Sequence, residues 1–264
     1  MVSIVIPSYN TEPSLLFRAL RSALDQTYNE VEVIIADDGS SVPVEIALAA
    51  HLTSLGDDRQ RVYVTRSDRN EGISSARNRA AAMSTGDWLV WLDADDILDV
   101  NCVGHLIDGS QDTDLVVGEC IVIEGATSTR RRPKIYFEKA KQFFGTSHDP
   151  FLLNVISLQP QLFRRSVFES LNGFNQDYRW AEMTELFLRY LTRRGLSRIK
   201  FIEDAVYHYF RGRSDSVSSD RSNLMDYRRR CLRTYMLEHK IAGSDVVYKG
   251  RNIESGMQEY ELSP

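Results

Sequence analysis

Four short runs rich in branched and aromatic residues, Val2 to Ile6, Glu32 to Ala36, Arg61 to Thr65 and Trp88 to Leu92, alternate with stretches of helical periodicity in the first 92 residues. This alternation constrains the fold more than any other feature of the chain. Runs of this length bounded by turn residues read as buried strands, and strands separated by helices require a parallel, doubly wound sheet. Pro7 reads as the stop of the first strand, because it cannot donate to a ladder. The intervening helices are expected near Leu15 to Leu24, from Val42 to Leu55, with Ile46, Leu48, Ala49 and Leu52 on one side, and from Ser74 to Met83. The crossovers are short, so a nucleotide-binding architecture is favoured over a barrel.

In an open sheet of this kind, ligands bind beyond the carboxyl ends of the strands. The residues at those ends therefore decide the chemistry. The first strand delivers Tyr9, the second Asp37 and Asp38, and the fourth the triplet Asp93, Asp95, Asp96 within Trp91-Leu92-Asp93-Ala94-Asp95-Asp96. Three carboxylates so close together repel one another unless a cation joins them, and Asp-x-Asp presents hard oxygen donors suited to Mg²⁺ or Mn²⁺. The competing explanation is a helix start capped by Asp96, where acidic residues also favour the dipole. An aromatic ring beside a carboxylate can hold a nucleobase, whereas Asp38-Gly39 alone is also ordinary turn chemistry. Arg77, on the helix opened by Gly72, suits diphosphate oxygens or a surface ion pair.

The second half is less regular. Val100 to Ile107 reads as a helix, Asp114 to Ile123 as a strand, and the basic stretch Ala126 to Lys134 as an exposed loop. Phe137 to Phe144 reads as a short amphipathic helix, and Ser147 to Leu158 gives no clear pattern. Arg164 to Leu171 is expected to be a helix closed by Asn172-Gly173. A longer helix is expected over Trp180 to Arg194, two short strands over Ile199 to Ile202 and Ala205 to Phe210, and a terminal helix over Asn223 to His239. After Gly243 the periodicity fades, as in a tail that is frayed or used by a partner. A net charge of −5 gives no case for a nucleic-acid partner. The three cysteines form no Cys-x-x-Cys pair, and Met1 leads directly into the first strand without a basic leader. A cytoplasmic location is the expectation.

Four segments, Val5-Ile6-Pro7-Ser8-Tyr9-Asn10, Ala36-Asp37-Asp38-Gly39-Ser40, Asn70-Glu71-Gly72 with Ser75-Ala76-Arg77-Asn78, and the acidic run, follow one another as they do in family 2 glycosyltransferases. The chain resembles that family strongly over residues 1–110 and more loosely to about residue 211. The resemblance implies an α/β GT-A fold with a mainly parallel sheet flanked by helices. It divides the chain into a donor half (1–110), an acceptor half (111–215) and a C-terminal helix and tail (216–264). It implies an inverting, metal-dependent transfer from a nucleotide-sugar, most often a UDP-sugar, to an acceptor hydroxyl, in glycan or polysaccharide synthesis.

It also implies residue roles. Pro7, Tyr9 and Asp38 line the base and ribose pocket, Asn70 and Arg77 hold the donor nucleotide, Asp93 touches the ribose or sugar, and Asp95 ligates Mn²⁺ or Mg²⁺. Leu171-Asn172-Gly173-Phe174 resembles the family's Gly-Gly-Phe turn, and the following helix carries the base. Here Met183 occupies the usual position of that base, and a thioether cannot accept the proton. Glu182 is the leading candidate, with Glu185 one turn away as the second. His208 and Arg211 lie where relatives close over the diphosphate, although a strand-borne His is more often structural. The cluster Arg228, Arg229, Arg230 and Arg233 fits a solvated helix face or a homodimer contact better than an anionic membrane surface. Two other readings remain: a relative that binds without catalysing, motivated by Met183, and a sugar nucleotidyltransferase. The loop Pro7-Ser8-Tyr9-Asn10, lacking Gly and basic residues, argues against the latter.

Overall fold

The computed structural model describes residues 1–135, 159–212, 221–238, 245–251 and 258–263. The expected helix over Phe137 to Phe144 and the unassigned stretch from Ser147 to Leu158 lie outside them. Strands β1 (Val2–Ser8), β2 (Val31–Asp37), β3 (Val62–Arg66) and β4 (Trp88–Trp91) form the parallel half of the sheet, in the order β3-β2-β1-β4. β8 (Gln161–Arg164) then pairs antiparallel to β4, and β6 (Leu115–Glu124) antiparallel to β8. β9 (Ile199–Arg211) runs parallel to β6, and β5 (Ile97–Leu98) antiparallel to β9. Two successive reversals make β6 and β9 parallel to β4, so the carboxyl ends of β1, β2, β4 and β9 share one rim.

Alternation along the strands builds two cores. Val2, Ile4, Ile6, Val33, Ile35 and Val90 face α1 (Pro13–Leu24) and α5 (Cys102–Asp108). Val5, Ile34, Ala36, Leu89 and Trp91 face α4 (Ile73–Met83), α6 (Arg165–Ser170) and α7 (Glu182–Arg194). α1 starts where Pro13 needs no donor and where the Glu12 carboxylate accepts the N–H groups of Ser14 and Leu15 at 3.1 and 3.2 Å. In α4 the small side chains Ala76, Ala80 and Ala81 allow close approach to the sheet.

Several boundaries differ from the sequence expectation, for identifiable reasons. β1 passes through Pro7, which lies opposite Ala36. The Val5 carbonyl faces β4, so the Pro7 nitrogen two residues later faces the same side, beyond the last paired residue Trp91, where no ladder bond is lost. The helix expected from Val42 breaks at fully buried Leu48 into α2 (Val44–Ala47) and α3 (Ala49–Thr53), followed by a 3₁₀ stretch Gly56–Arg61. The supposed loop after Ala126 is the strand β7 (Thr127–Arg131), turned back onto β6 through Gly125 at φ 59°. The two short strands after Ile199 are one strand with an irregularity, where Asp204 takes φ 68° and the register to β6 shifts between Val117 and Glu119. The chain from Gly243 is not a featureless tail: β10 (Asp245–Arg251) and β11 (Gln258–Ser263) form a hairpin after α8 (Arg221–Glu238). Among the described residues, no helix is long and apolar enough to cross a membrane.

Candidate active site

The rim is assembled by loops that bind one another. The Asp38 N–H donates to the Ser8 carbonyl at 2.8 Å, and the Asn10 N–H donates to Ser40 Oγ at 2.9 Å. Asn10 Oδ1 in turn accepts the Ser41 N–H at 2.8 Å. Gly39 has φ 75°, and a Cβ there would stand 2.4 Å from the Arg69 carbonyl carbon, so only glycine lets the second and third loops touch. Tyr9, half exposed, and Asn70, exposed, lie on these joined loops.

The two adjacent aspartates divide their work. Asp37 is fully buried and accepts the N–H groups of Ser40 (2.9 Å) and Val44 (3.1 Å) while pairing with Arg66. Burial alone would push its carboxyl up, but the Ser40, Val44 and Arg66 hydrogen bonds hold it below the usual carboxylate range. Asp38 accepts the Gly72 N–H at 2.8 Å and the Glu71 N–H at 3.2 Å, which fixes the entry to α4 beside the Tyr9 loop.

The centre of the site is a bridge. Arg77, only 2% exposed, gives Nη2 to Asp93 Oδ1 at 2.7 Å and Nη1 to Glu182 Oε1 at 2.5 Å. Its guanidinium lies 5.5 Å from the centroid of the Phe174 ring. Burial would lower its proton affinity, yet the two carboxylates raise it above the ordinary arginine value. Arg77 is therefore enclosed between the two carboxylates rather than set at the surface. It joins the acidic turn after β4 to the start of α7. Neighbouring Asn78 ties α4 to the turn before α7, accepting the Phe174 N–H and donating to the Phe174 carbonyl, both at 2.8 Å. Asn172 and Gly173 take φ 62° and 65° in that turn, a conformation Asn tolerates better than most residues.

α7 separates its two glutamates and Met183. Met183, Leu186, Phe187 and Tyr190 recur at helical spacing and all enter the second core, so the thioether heads an apolar stripe. Glu182, one residue earlier, meets Arg77. Glu185 binds Arg189 through both oxygens, at 2.9 and 2.5 Å, and Arg189 also donates to the Leu171 and Gly173 carbonyls. Glu185 thus fastens the Asn172-Gly173 turn, and of the two only Glu182 reaches the bridge.

Asp96 is not a helix cap, because α5 begins after Asn101. It is fully buried and accepts the Tyr207 hydroxyl at 2.6 Å and the Phe210 N–H at 2.9 Å. Burial raises its carboxyl well above the usual range, with the Asp93 and Asp95 charges adding to the rise and the two hydrogen bonds opposing it. Neither Tyr207 nor Arg18, which donates to the Asp95 carbonyl at 2.9 Å, stands out in sequence; only their contacts reveal them. His208 lies in the ladder between Ile121 of β6 and Ile97 of β5, and half-buried Arg211 stacks on Tyr209 at 5.6 Å.

Asp93 and Asp95 are the residues that could hold a metal. Among the described residues, no three His, Cys, Asp or Glu side chains form a complete ligand set. A hard cation held by one or two carboxylates and completed by phosphate oxygens fits this arrangement. It also answers the negative charge gathered where Asp93, Asp95 and Asp96 lie along one turn.

The sequence model described as Glycosyl transferase family 2 matches residues 3–171. The chain belongs to that family. It is a glycosyltransferase with the GT-A fold. An uncharacterized glycosyltransferase of Haemophilus influenzae is 29% identical over 234 residues, covering 84% of this chain and 73% of its own. A PGL/p-HBAD biosynthesis glycosyltransferase of Mycobacterium tuberculosis is 28% identical over 222 residues, covering 82% and 80%. Among curated relatives the share of the relative's length that is spanned varies widely, falling to 24% in protein y4gI of Sinorhizobium fredii. S. aureus TarS 1–349 in complex with UDP-GlcNAc superposes with a TM-score of 0.64 at 17% identity, covering 92% of this chain and 68% of TarS 1–349. The Pyrobaculum calidifontis mannosyltransferase PcManGT, in complex with GDP-Man and Mn²⁺, superposes at 0.62 and 18%, covering 92% and 65%.

Proposed function

We propose that this family 2 glycosyltransferase moves a sugar from a nucleoside diphosphate sugar, a UDP-sugar in the first instance, to an acceptor hydroxyl with inversion at the anomeric carbon. The observation that carries the proposal is the Asp93–Arg77–Glu182 bridge, which sets a candidate base at a fixed relation to the donor turn. Tyr9 stacks on the nucleobase, and Asp38 and Asn70 hold the nucleoside side of the pocket. Pro7 shapes its floor. Asp93 faces the ribose or sugar, and Asp95 supplies the metal carboxylate. Mn²⁺ or Mg²⁺, when bound, neutralises charge on the departing diphosphate. That structures of the same fold hold UDP-GlcNAc, or GDP-Man with Mn²⁺, supports such a donor.

In the transfer, the acceptor oxygen forms its bond to C1 as the bond from C1 to the diphosphate oxygen breaks, and Glu182 takes the hydroxyl proton. Arg77 holds Glu182 in a fixed orientation through the Nη1–Oε1 contact. His208 and Arg211 lie on β9, whose carboxyl end shares the donor rim, and are assigned to phosphate contact. Glycan or polysaccharide synthesis is the assigned setting, with a hydroxyl-bearing glycan as acceptor.

The test is calorimetric titration with UDP and UDP-sugars, with and without Mn²⁺. Metal-dependent binding that disappears in Asp95→Ala is the expected result. Undiminished affinity in Asp95→Ala with Mn²⁺ present would remove the metal assignment. Binding without any release of UDP in an acceptor screen would favour the non-catalytic alternative that Met183 first raised.

A further inference from the structure

The turn from Asp93 to Asp96 has little regular structure of its own, since β4 ends at Trp91 and β5 is the two residues Ile97–Leu98. It is fixed instead from behind. Tyr207 on β9 is 1% exposed, and its hydroxyl accepts the Asp93 backbone N–H at 3.1 Å while donating to Asp96 Oδ2 at 2.6 Å. The second Asp96 oxygen accepts the Phe210 N–H. From α1, Arg18 gives Nη2 to the Asp95 carbonyl and lies 4.4 Å from the centroid of the Phe210 ring. Asp93, Asp95 and Asp96 are each held through a named atom.

Holding a turn does not require a buried carboxylate. Apolar packing of similar volume often does so at lower cost, and burying an anion beside two others is unfavourable unless hydrogen bonds answer it. What the phenol adds is direction. A rigid ring locked in the core presents one oxygen that accepts from the first residue of the turn and donates to the last. The backbone leading to Asp95 is thereby fixed at both ends, and the Asp93 and Asp95 side chains inherit that orientation.

We propose that Tyr207 is a positioning residue for the donor and metal site, acting through the Asp93 N–H and the Asp96 carboxylate, with Arg18 completing the hold at the Asp95 carbonyl. The proposal rests on reading this rim as a nucleoside diphosphate sugar site. Tyr207 is buried behind the turn, so its effect passes through the aspartates.

Tyr207→Phe keeps the ring and removes both hydrogen bonds. Two readouts separate positioning from general destabilisation. In amide hydrogen exchange, Asp93 should lose about tenfold or more of its protection while Ile4 and Ile34 in the core strands keep wild-type rates. In UDP titrations, half-saturating Mn²⁺ should rise about tenfold, while the weak metal-free affinity for UDP stays unchanged. Arg18→Met should raise the Mn²⁺ requirement without altering exchange at Asp93, and it serves as the test if Tyr207→Phe does not fold. Uniform loss of protection, a parallel fall in metal-free affinity, or an unchanged Mn²⁺ requirement in both variants overturns the positioning role. Failure of the wild-type protein to bind UDP with Mn²⁺ overturns the donor reading, and the proposal with it, and is distinguished by appearing before any substitution is made.

Discussion

The Arg77 bridge makes a quantitative prediction. Arg77→Met keeps much of the buried volume and removes the two charge-assisted hydrogen bonds. The bond to Glu182, whose side chain is 12% exposed, is worth about 2 kcal/mol. That to Asp93, 37% exposed, is screened by water and is worth roughly 0.5 kcal/mol. The Phe174 stacking adds about 0.5 kcal/mol, giving a destabilisation of about 3 kcal/mol. For a chain of this size that corresponds to a melting point lower by roughly 6–10 °C. Arg77→Lys, which keeps the charge but cannot span two carboxylates with a planar fork, should recover less than half of the loss. The assay is reversible thermal unfolding followed by circular dichroism, with a double-mutant cycle against Glu182→Gln. The cycle should report a coupling of about 1–2 kcal/mol. Arg77→Met melting within about 1 °C of wild type, or a coupling near zero, would refute the reasoning.

Other outcomes follow from the same geometry. Gly39→Ala places a Cβ against the Arg69 backbone at positive φ, and should cost about 2 kcal/mol or more in urea unfolding. Asp37 has a depressed folded pKa, so its contribution is complete above the unfolded value of about 3.9 and is lost as pH falls toward the folded value. The stability gap between wild type and Asp37→Asn should therefore be full at neutral pH and close progressively below about pH 4, as read by denaturant titrations across that range. Glu182→Gln should lower turnover about a hundredfold while leaving UDP affinity nearly intact in steady-state and binding assays; normal turnover would move the base elsewhere.

Much of the donor half was legible because its strands are buried on both faces. Ile4 to Ile6, Val33 to Ala36 and Leu89 to Trp91 are apolar without interruption, short and bounded by turn residues, which favours buried strands. The strand order past β4 was not legible. β8 is four residues with polar ends, and its strand character comes from β4 and β6 on either side. β7, Thr-Ser-Thr-Arg-Arg, has no apolar face to announce it. At the site, the residue types and their shared rim could be read from the strand ends, but the pairing could not. Arg77 meets Glu182 across 105 positions and Tyr207 meets Asp96 across 111, distances over which local pattern carries no information. The roles of Met183 and Glu185 followed only from seeing which helix face entered the core.

The order in which β8 joins the sheet bears on how the protein is made. As the nascent chain leaves the ribosome, the first 92 residues can pair β1, β2, β3 and β4, but the outer edge of β4 stays open until Gln161–Arg164 emerge. For that interval, Trp88–Trp91 presents unsatisfied amides and an apolar surface to solvent, a template for illicit strand addition. Slow translation through the intervening codons, or a shortage of holdase chaperones, should cost yield at this step, long before a substrate is bound.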